Sequence, residues 1–249
     1  MLNIAHRGAS GYAPENTRAA FELAITMGAD MIETDVQLTS DGELVLIHDT
    51  TVSRTSNGRG PVGDYQLDEL RALDIGRWYG DGFAGERILT LNELILEFLP
   101  RIPFVLEIKD PRAAPALVDA IAAAGISERV HVTSFFWPAL LDAHVLDPSL
   151  TLGFLTRTFD SDIIRRSVAR QFAQICPHVQ SLTTDLVTEA HEVGLIVRAL
   201  GINERVEIDR LFATGADGAT VNWPDWLPGQ IATDGGSPAQ VKTPTSGGV

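Results

Sequence analysis

The 249-residue chain has a single cysteine, Cys176, so no disulfide can form within it, and a reducing, cytoplasmic setting is expected. No apolar run approaches the ~18 residues of a membrane span. The first residues, Met1-Leu2-Asn3-Ile4-Ala5, lead straight into the polar His6-Arg7, without the long apolar core of a secretory signal. Positive charge is also scarce: 19 Lys and Arg stand against 33 Asp and Glu, for a net charge of −14. That balance argues against nucleic acid as a partner and against adsorption to an anionic membrane surface. It leaves an anionic small molecule open, because a pocket can be positive on an acidic protein. No H-x-H or H-E-x-x-H run is present, and no glycine-rich phosphate fingerprint follows the first predicted strand. Apolar residues are plentiful: at 45% they suffice for one large core or two small ones.

Those apolar residues fall in an alternating rhythm. Strands are predicted at Leu2 to Ala5, Met31 to Val36, Leu44 to Ile47, Pro103 to Lys109, Val130 to Phe135, Leu150 to Leu155, Phe172 to Cys176, Leu195 to Leu200 and Gly218 to Val221. Helices are predicted between them. The first begins after Pro14-Glu15-Asn16-Thr17 with Asn16 as N-cap and closes at Gly28; later ones cover Thr90 to Leu99, Ala113 to Ala124, Pro138 to Val145, Ser161 to Ala169, Thr184 to Val193 and Glu204 to Ala213. Such alternation predicts a parallel α/β domain, and its length suits an eight-fold β/α (TIM) barrel over residues 1–230. Nine strands are one too many, so one lies outside the barrel or two form a hairpin; the pair around Asp41-Gly42 is the suspect. A doubly wound open sheet is the alternative. Residues from about 50 to 90 break the rhythm after the third strand and read as an insertion over the active site, with a short helix at Leu67 to Leu73. Residues 231–249 are rich in Gly, Ser, Thr and Pro and are expected to form a disordered tail.

Polar residues concentrate where the strands end. Glu33 and Asp35 sit two apart on a predicted strand and so share a side. Two adjacent carboxylates repel, which leaves two readings: a solvated strand face, or a cation between them. His6-Arg7, His48-Asp49 and Glu107 with Lys109 occupy the ends of three other strands, and in a β/α barrel those ends gather at one face. Glu33, Asp35 and Glu107 form an oxygen-only set suited to a hard divalent cation such as Mg²⁺ or Ca²⁺ rather than zinc. The three carboxylates, the Arg7 and Lys109 cations and one divalent ion leave about one positive charge, which suits a phosphodiester. His6 and His48 suit general acid and base work, although either alone could be structural. His131, His144, His178 and His191 lack such company and are read as structural.

Together these residues resemble a known family. His6-Arg7-Gly8, Pro14-Glu15-Asn16-Thr17, Glu33-Thr34-Asp35-Val36, Thr39-Ser40-Asp41-Gly42, His48-Asp49 and Glu107-Ile108-Lys109 stand in the order found in glycerophosphodiester phosphodiesterases. Leu73-Asp74-Ile75-Gly76 through Phe83 to Ile88 resembles that family's insertion, and the likeness runs from residue 2 to about 228. It implies a β/α barrel and metal-dependent hydrolysis of glycerophosphodiesters to an alcohol and glycerol 3-phosphate, within glycerol and lipid metabolism. Position by position it implies metal ligation by Glu33, Asp35 and Glu107, acid–base work by His6 and His48, and phosphate contact by Arg7 and Lys109. Glu15, Asn16, Phe135 and Arg198 are further site candidates. The nucleophile is water or the substrate's own hydroxyl. Three departures stand out: Leu89-Thr90 where Pro-Thr is frequent, Ile196 to Leu200 where a Trp-Thr pair is common, and Val221-Asn222 for a frequent Thr-Asp. Arg198 either lines the pocket or pairs with a surface carboxylate, and Phe135, Trp78 and Trp223 either wall the pocket or pack elsewhere. Two other readings keep the same residues: a lysophospholipase D-like hydrolase, and a barrel that binds phosphodiesters without cleaving them. Nothing in the sequence sets the oligomeric state.

Overall fold

In a computed structural model, residues 1–227 are described; the predicted tail from 231 lies outside them. Nine strands and eight α-helices follow one another: β1 (Leu2–His6), α1 (Arg18–Thr26), β2 (Met31–Leu38), β3 (Leu44–Leu46), α2 (Leu67–Ala72), α3 (Leu91–Glu97), β4 (Phe104–Ile108), α4 (Ala114–Ala124), β5 (Val130–Ser134), α5 (Trp137–Leu146), β6 (Thr151–Thr156), α6 (Ser161–Ala169), β7 (Gln174–Pro177), α7 (Thr184–Glu192), β8 (Ile196–Ile202), α8 (Arg205–Thr214) and β9 (Gly218–Val221).

β1 pairs in parallel with both β2 and β9, so the sheet closes and the open-sheet alternative falls. Eight parallel strands make the (β/α)8 barrel. The ninth, β3, lies outside it as an antiparallel hairpin partner of β2, with Val36 opposite Leu46 and Leu38 opposite Leu44. Asp41-Gly42 supplies the turn, Gly42 in the left-handed region at φ +87°.

Barrel strands are covered on both faces, which is why they read as apolar runs; all five residues of β4 are buried. Outside the strands the helices lay down their apolar sides. Phe21 of α1 meets Phe98 and Phe104 edge-on, with ring centroids 5.4 and 5.6 Å away. The segment between β3 and α3 has its own apolar centre in Val52, Val62, Leu70, Ile75 and Ile88, so it packs as a small unit against the barrel. Among the described residues no helix is long and apolar enough to cross a membrane.

The first helix departs from expectation at its start. Thr17, not Asn16, is the N-cap, its Oγ1 accepting from Ala20 N. Asn16 instead takes φ +56°, a conformation asparagine tolerates better than most residues, and turns its side chain toward β2. Just before it, Gly8 at φ +81° brings the β1–α1 turn onto α1: a Cβ there would lie 2.6 Å from the Ala20 carbonyl carbon.

Candidate active site

The strand ends bring the charged residues together. His6 is the lateral neighbour of Glu33, and Asp35 that of Glu107. Side chains that alternate along each strand therefore converge inside the barrel mouth. One oxygen from each of Glu33, Asp35 and Glu107 lies within 4.8 Å of the others. All three residues are buried, which removes the solvated-face reading.

Their electrostatics are strained. Burial, then the Asp35 and Glu107 charges, raises Glu33 well above the usual carboxylate range. Burial and Asp35 push Glu107 up to about 7. Burial alone would raise Asp35 too, but Arg7 and Lys109 outweigh it and hold its carboxyl low. Glu33 Oε1 and Asp35 Oδ1 are buried without hydrogen-bond partners. Crowded, desolvated, incompletely satisfied oxygens fit a divalent cation, which would supply the missing partner.

Two cations flank the cluster. Arg7 has φ +57°, which aims its backbone N–H at Glu33 Oε2, 3.0 Å away. Its Nε pairs with Asp35 Oδ2 at 3.1 Å, as an ion pair without hydrogen-bond alignment, and its Nη1 donates to Glu15 at 2.9 Å. Lys109 Nζ lies 2.7 Å from Glu107 and 3.4 Å from Asp35, and 5.9 Å from the centre of the Phe135 ring. Asn16 Nδ2 donates to Asp35 Oδ2 at 2.9 Å while its Oδ1 accepts from Thr34, so it fixes the carboxylate rather than facing the cavity.

Each histidine is anchored through Nδ1. The His6 Nδ1–H donates to Asn222 Oδ1 at 2.6 Å; that oxygen also accepts from Ser10. The His48 Nδ1–H donates to Asp49 Oδ1 at 2.7 Å. Both rings thereby leave Nε2 outside these bonds, that of His6 standing 4.0 Å from Glu33 Oε2. Burial, then Arg7, lowers His6 to about 4, and burial lowers His48 as well, so both favour the neutral ring. The β3 hairpin is what delivers His48: Gln37 of β2 donates to the His48 and Asp49 carbonyls at 3.0 and 2.5 Å.

His6, Arg7, Glu33, His48, Glu107 and Lys109 line one cavity of about 210 Å³. Phe135 and Arg198 line it too, whereas Trp78 and Trp223 do not: Trp78 bonds to the Ile75 carbonyl within the insertion, and Trp223 stacks on Trp226. Arg198 is 1% exposed and pairs with no carboxylate among the described residues, so the surface ion pair considered above does not exist.

Two supporting residues escaped the sequence reading. Asn222, visible there only as a departure, orients His6. Arg54 lies in the irregular insertion, where no periodicity marks it; it pairs with Asp49 at 2.7 Å and Glu15 at 2.7 Å, tying His48's partner to Arg7's. Arg54→Leu is expected to lower kcat/KM ~10-fold or more, as loss of an outer supporting contact commonly does, with little change in melting temperature. Steady-state kinetics and thermal melts check this; an unchanged kcat/KM would mean the bridge holds nothing that matters to turnover.

Unsatisfied carboxylates beneath two cations, at the mouth of a β/α barrel, define an enzyme for a small anionic substrate. The family model described as the glycerophosphoryl diester phosphodiesterase family matches residues 6–226, and the chain belongs to that family. It is a phosphoric diester hydrolase, and its family and relatives support glycerophosphodiester hydrolysis. A glycerophosphodiester phosphodiesterase of Caldanaerobacter subterraneus is 37% identical over 233 residues, covering 91% of this chain and 96% of its own. One from Bacillus altitudinis is 32% identical, covering 89% and 94%. Among solved structures, a phosphodiesterase of Oleispira antarctica in complex with the product sn-glycerol 3-phosphate is 30% identical with a TM-score of 0.83, covering 90% of this chain and 94% of that one.

Proposed function

We propose that this chain hydrolyses glycerophosphodiesters to an alcohol and sn-glycerol 3-phosphate, with His6 and His48 as the acid–base pair. What carries the reading is the buried carboxylate cluster, in which Glu33 Oε1 has no hydrogen-bond partner and Asp35 Oδ1 is met only by Lys109 Nζ at 3.4 Å, set between two histidines anchored through Nδ1. Glu33, Asp35 and Glu107 would hold a Mg²⁺ or Ca²⁺ ion, which supplies Lewis-acid stabilisation of the charge that develops on the phosphoryl oxygens.

The chain's own residues do the rest. Arg7 and Lys109 bind the phosphodiester anion at the cavity wall, Arg7 as a planar donor and Lys109 as a compact charge. The His6 ring, backed by the neutral Asn222 amide, accepts the proton of the attacking hydroxyl at Nε2. That hydroxyl belongs to water, which gives glycerol 3-phosphate directly, or to the glycerol itself, which gives a cyclic phosphodiester that water opens to glycerol 3-phosphate in a second displacement. The P–O bond to the alcohol then breaks, and the leaving alkoxide takes a proton from Nε2 of His48. His48 must carry that proton on Nε2 before it delivers it; burial lowers His48, and Asp35 and the hydrogen-bonded Asp49 work against this by favouring the charged ring, so His48 is the ring suited to hold the proton and hand it on. A cytoplasmic setting and a place in glycerol and lipid metabolism accord with a buried, unpaired cysteine and with this substrate class.

The deciding assay offers glycerophosphocholine, glycerophosphoethanolamine and a lysophospholipid, with and without chelator, and measures released glycerol 3-phosphate. Release from the first two, abolished by chelator, is the expected outcome. Preferential turnover of the lysophospholipid would favour the lysophospholipase D-like reading. Binding without any turnover would favour the non-catalytic one.

A further inference from the structure

The far side of the cavity carries a charge that the reaction above does not use. β7 and β8 turn Gln174, Cys176 and Arg198 into the barrel. Arg198 is among the largest fully buried side chains and lines the cavity. A buried cation is costly unless an anion or a full set of acceptors meets it. Here the acceptors are neutral and too few. Its Nε donates to Gln174 Oε1 at 2.7 Å, and the Gln174 amide nitrogen in turn donates to His131 Nδ1 at 3.0 Å. Because the glutamine oxygen is committed to Arg198, its nitrogen must face His131, and His131 is held as an acceptor in the neutral ring. Burial and Arg198 lower His131 to about 4, in keeping with this. The Cys176 thiol also meets Arg198, and burial pushes that thiol up, so it too is a neutral partner. This relay orients the guanidinium without cancelling its charge.

Two groups on this floor remain free. Arg198 Nη2 and Thr133 Oγ1 are both buried without a hydrogen-bond partner, and both residues line the cavity. Thr133 is the lateral neighbour of Glu107, so the floor adjoins the carboxylate cluster. Next in register stands Gly153, where a Cβ would lie 3.1 Å from Thr133 Cγ2 and 3.3 Å from Gln174. The absent side chain leaves both residues free to hold their positions.

We propose that Arg198 and Thr133 form a subsite for a second anionic group on the substrate, a carboxylate or phosphate carried by the alcohol. This deepens the hydrolase reading and rests on it. The phosphodiester itself is held at β2 and β4, by the carboxylate cluster with Arg7 and Lys109. The floor on β5 and β8 is therefore left for a different part of the molecule. An unpaired guanidinium beside a hydroxyl donor selects an anionic oxygen there over an alkyl or ammonium group.

Glycerophosphoserine and glycerophosphoethanolamine test this, because they differ only by a carboxylate. The wild-type protein should favour the serine diester by ~10-fold or more in kcat/KM, the scale of one hydrogen bond to a charged group. Arg198→Gln should bring that ratio toward one, mainly through KM, and Arg198→Lys should restore part of it. If Arg198→Gln does not fold, Thr133→Val reads the same ratio. A wild-type ratio near one, or a ratio that both variants leave intact, overturns the proposal. So does a selective loss of inhibition by glycerol 3-phosphate in Arg198→Gln, which would assign the second charge to the product phosphate instead. Absence of turnover on every diester would count against the hydrolase reading rather than the subsite. Calorimetric binding of the two diesters to His6→Ala protein then decides the subsite alone: tighter serine-diester binding supports it, and equal affinities overturn it.

Discussion

His6→Ala and His48→Ala should each lower kcat by ~10²-fold or more while the protein stays folded. Both side chains are 31% exposed, so truncating either leaves no closed cavity in the core. The loss should fall on kcat more than on KM, because the proposed hold on the substrate comes from Arg7 and Lys109 rather than from either ring. The double variant should be little worse than the worse single one, since a proton accepted but not delivered, or the reverse, stalls the same reaction. Asp49→Asn separates the two roles: it leaves His48 in place but removes the charge that steadies its protonated ring. Steady-state kinetics on an activated diester with a good leaving group completes the test. Such a substrate needs no proton on its alcohol, so His48→Ala should recover most of its rate there and His6→Ala should not. Near wild-type rates in both folded variants would remove the histidines from the chemistry.

Glu33→Gln should abolish metal binding and turnover while leaving the metal-free protein at least as stable as the wild type. The reason is electrostatic. Burial and two neighbouring carboxylates raise Glu33, and Glu107 is pushed from the usual 4.5 up to about 7. A carboxyl whose folded pKa is raised holds its proton in the folded state at a pH where the unfolded chain has released it. Its contribution to stability is full below about pH 4.5 and is lost as pH rises through about 7. Metal-free wild type should therefore melt at a lower temperature at pH 8 than at pH 5. Removing one charge relieves the repulsion and flattens that profile. A bound cation does the same from outside, so Mg²⁺ or Ca²⁺ should raise the melting temperature of the wild type at pH 8 and not that of Glu33→Gln. Calorimetric titration and melts at the two pH values check both halves. Full activity after stringent chelation, or wild-type metal affinity in Glu33→Gln, would remove the cation from this site.

Much of the site was legible because its signals are local. The spacing of Glu33 and Asp35 puts both on one side of a strand whatever surrounds it. The predicted helix Ser161–Ala169 and strand Gly218–Val221 match the observed bounds, since capping and β-branched content act within a few residues. The surplus strand was traceable to Asp41-Gly42 because a turn signal sits between two apolar runs. Asn16 misled for the same reason: its local signal is that of a helix cap, whereas its side chain is claimed by Asp35, 19 residues away.

Sequence by itself determined the alternation of strand and helix, the placement of His6, Glu107 and Lys109 at or just past strand ends, the shared side of Glu33 and Asp35 on β2, and the chemical types available for catalysis. Those follow from side-chain period and from residue identity. Only the tertiary structure decided who supports whom. His6 is oriented by a residue 216 positions later, and Glu15 is bridged to Asp49 through Arg54 from the insertion. Arg198, read as either pocket or surface, proved to be buried beside the barrel-mouth cavity, its Nε bonded to the neutral Gln174. Barrel closure sets these neighbours, because it fixes which strand ends face one another across the mouth, and no local pattern of residues carries that information.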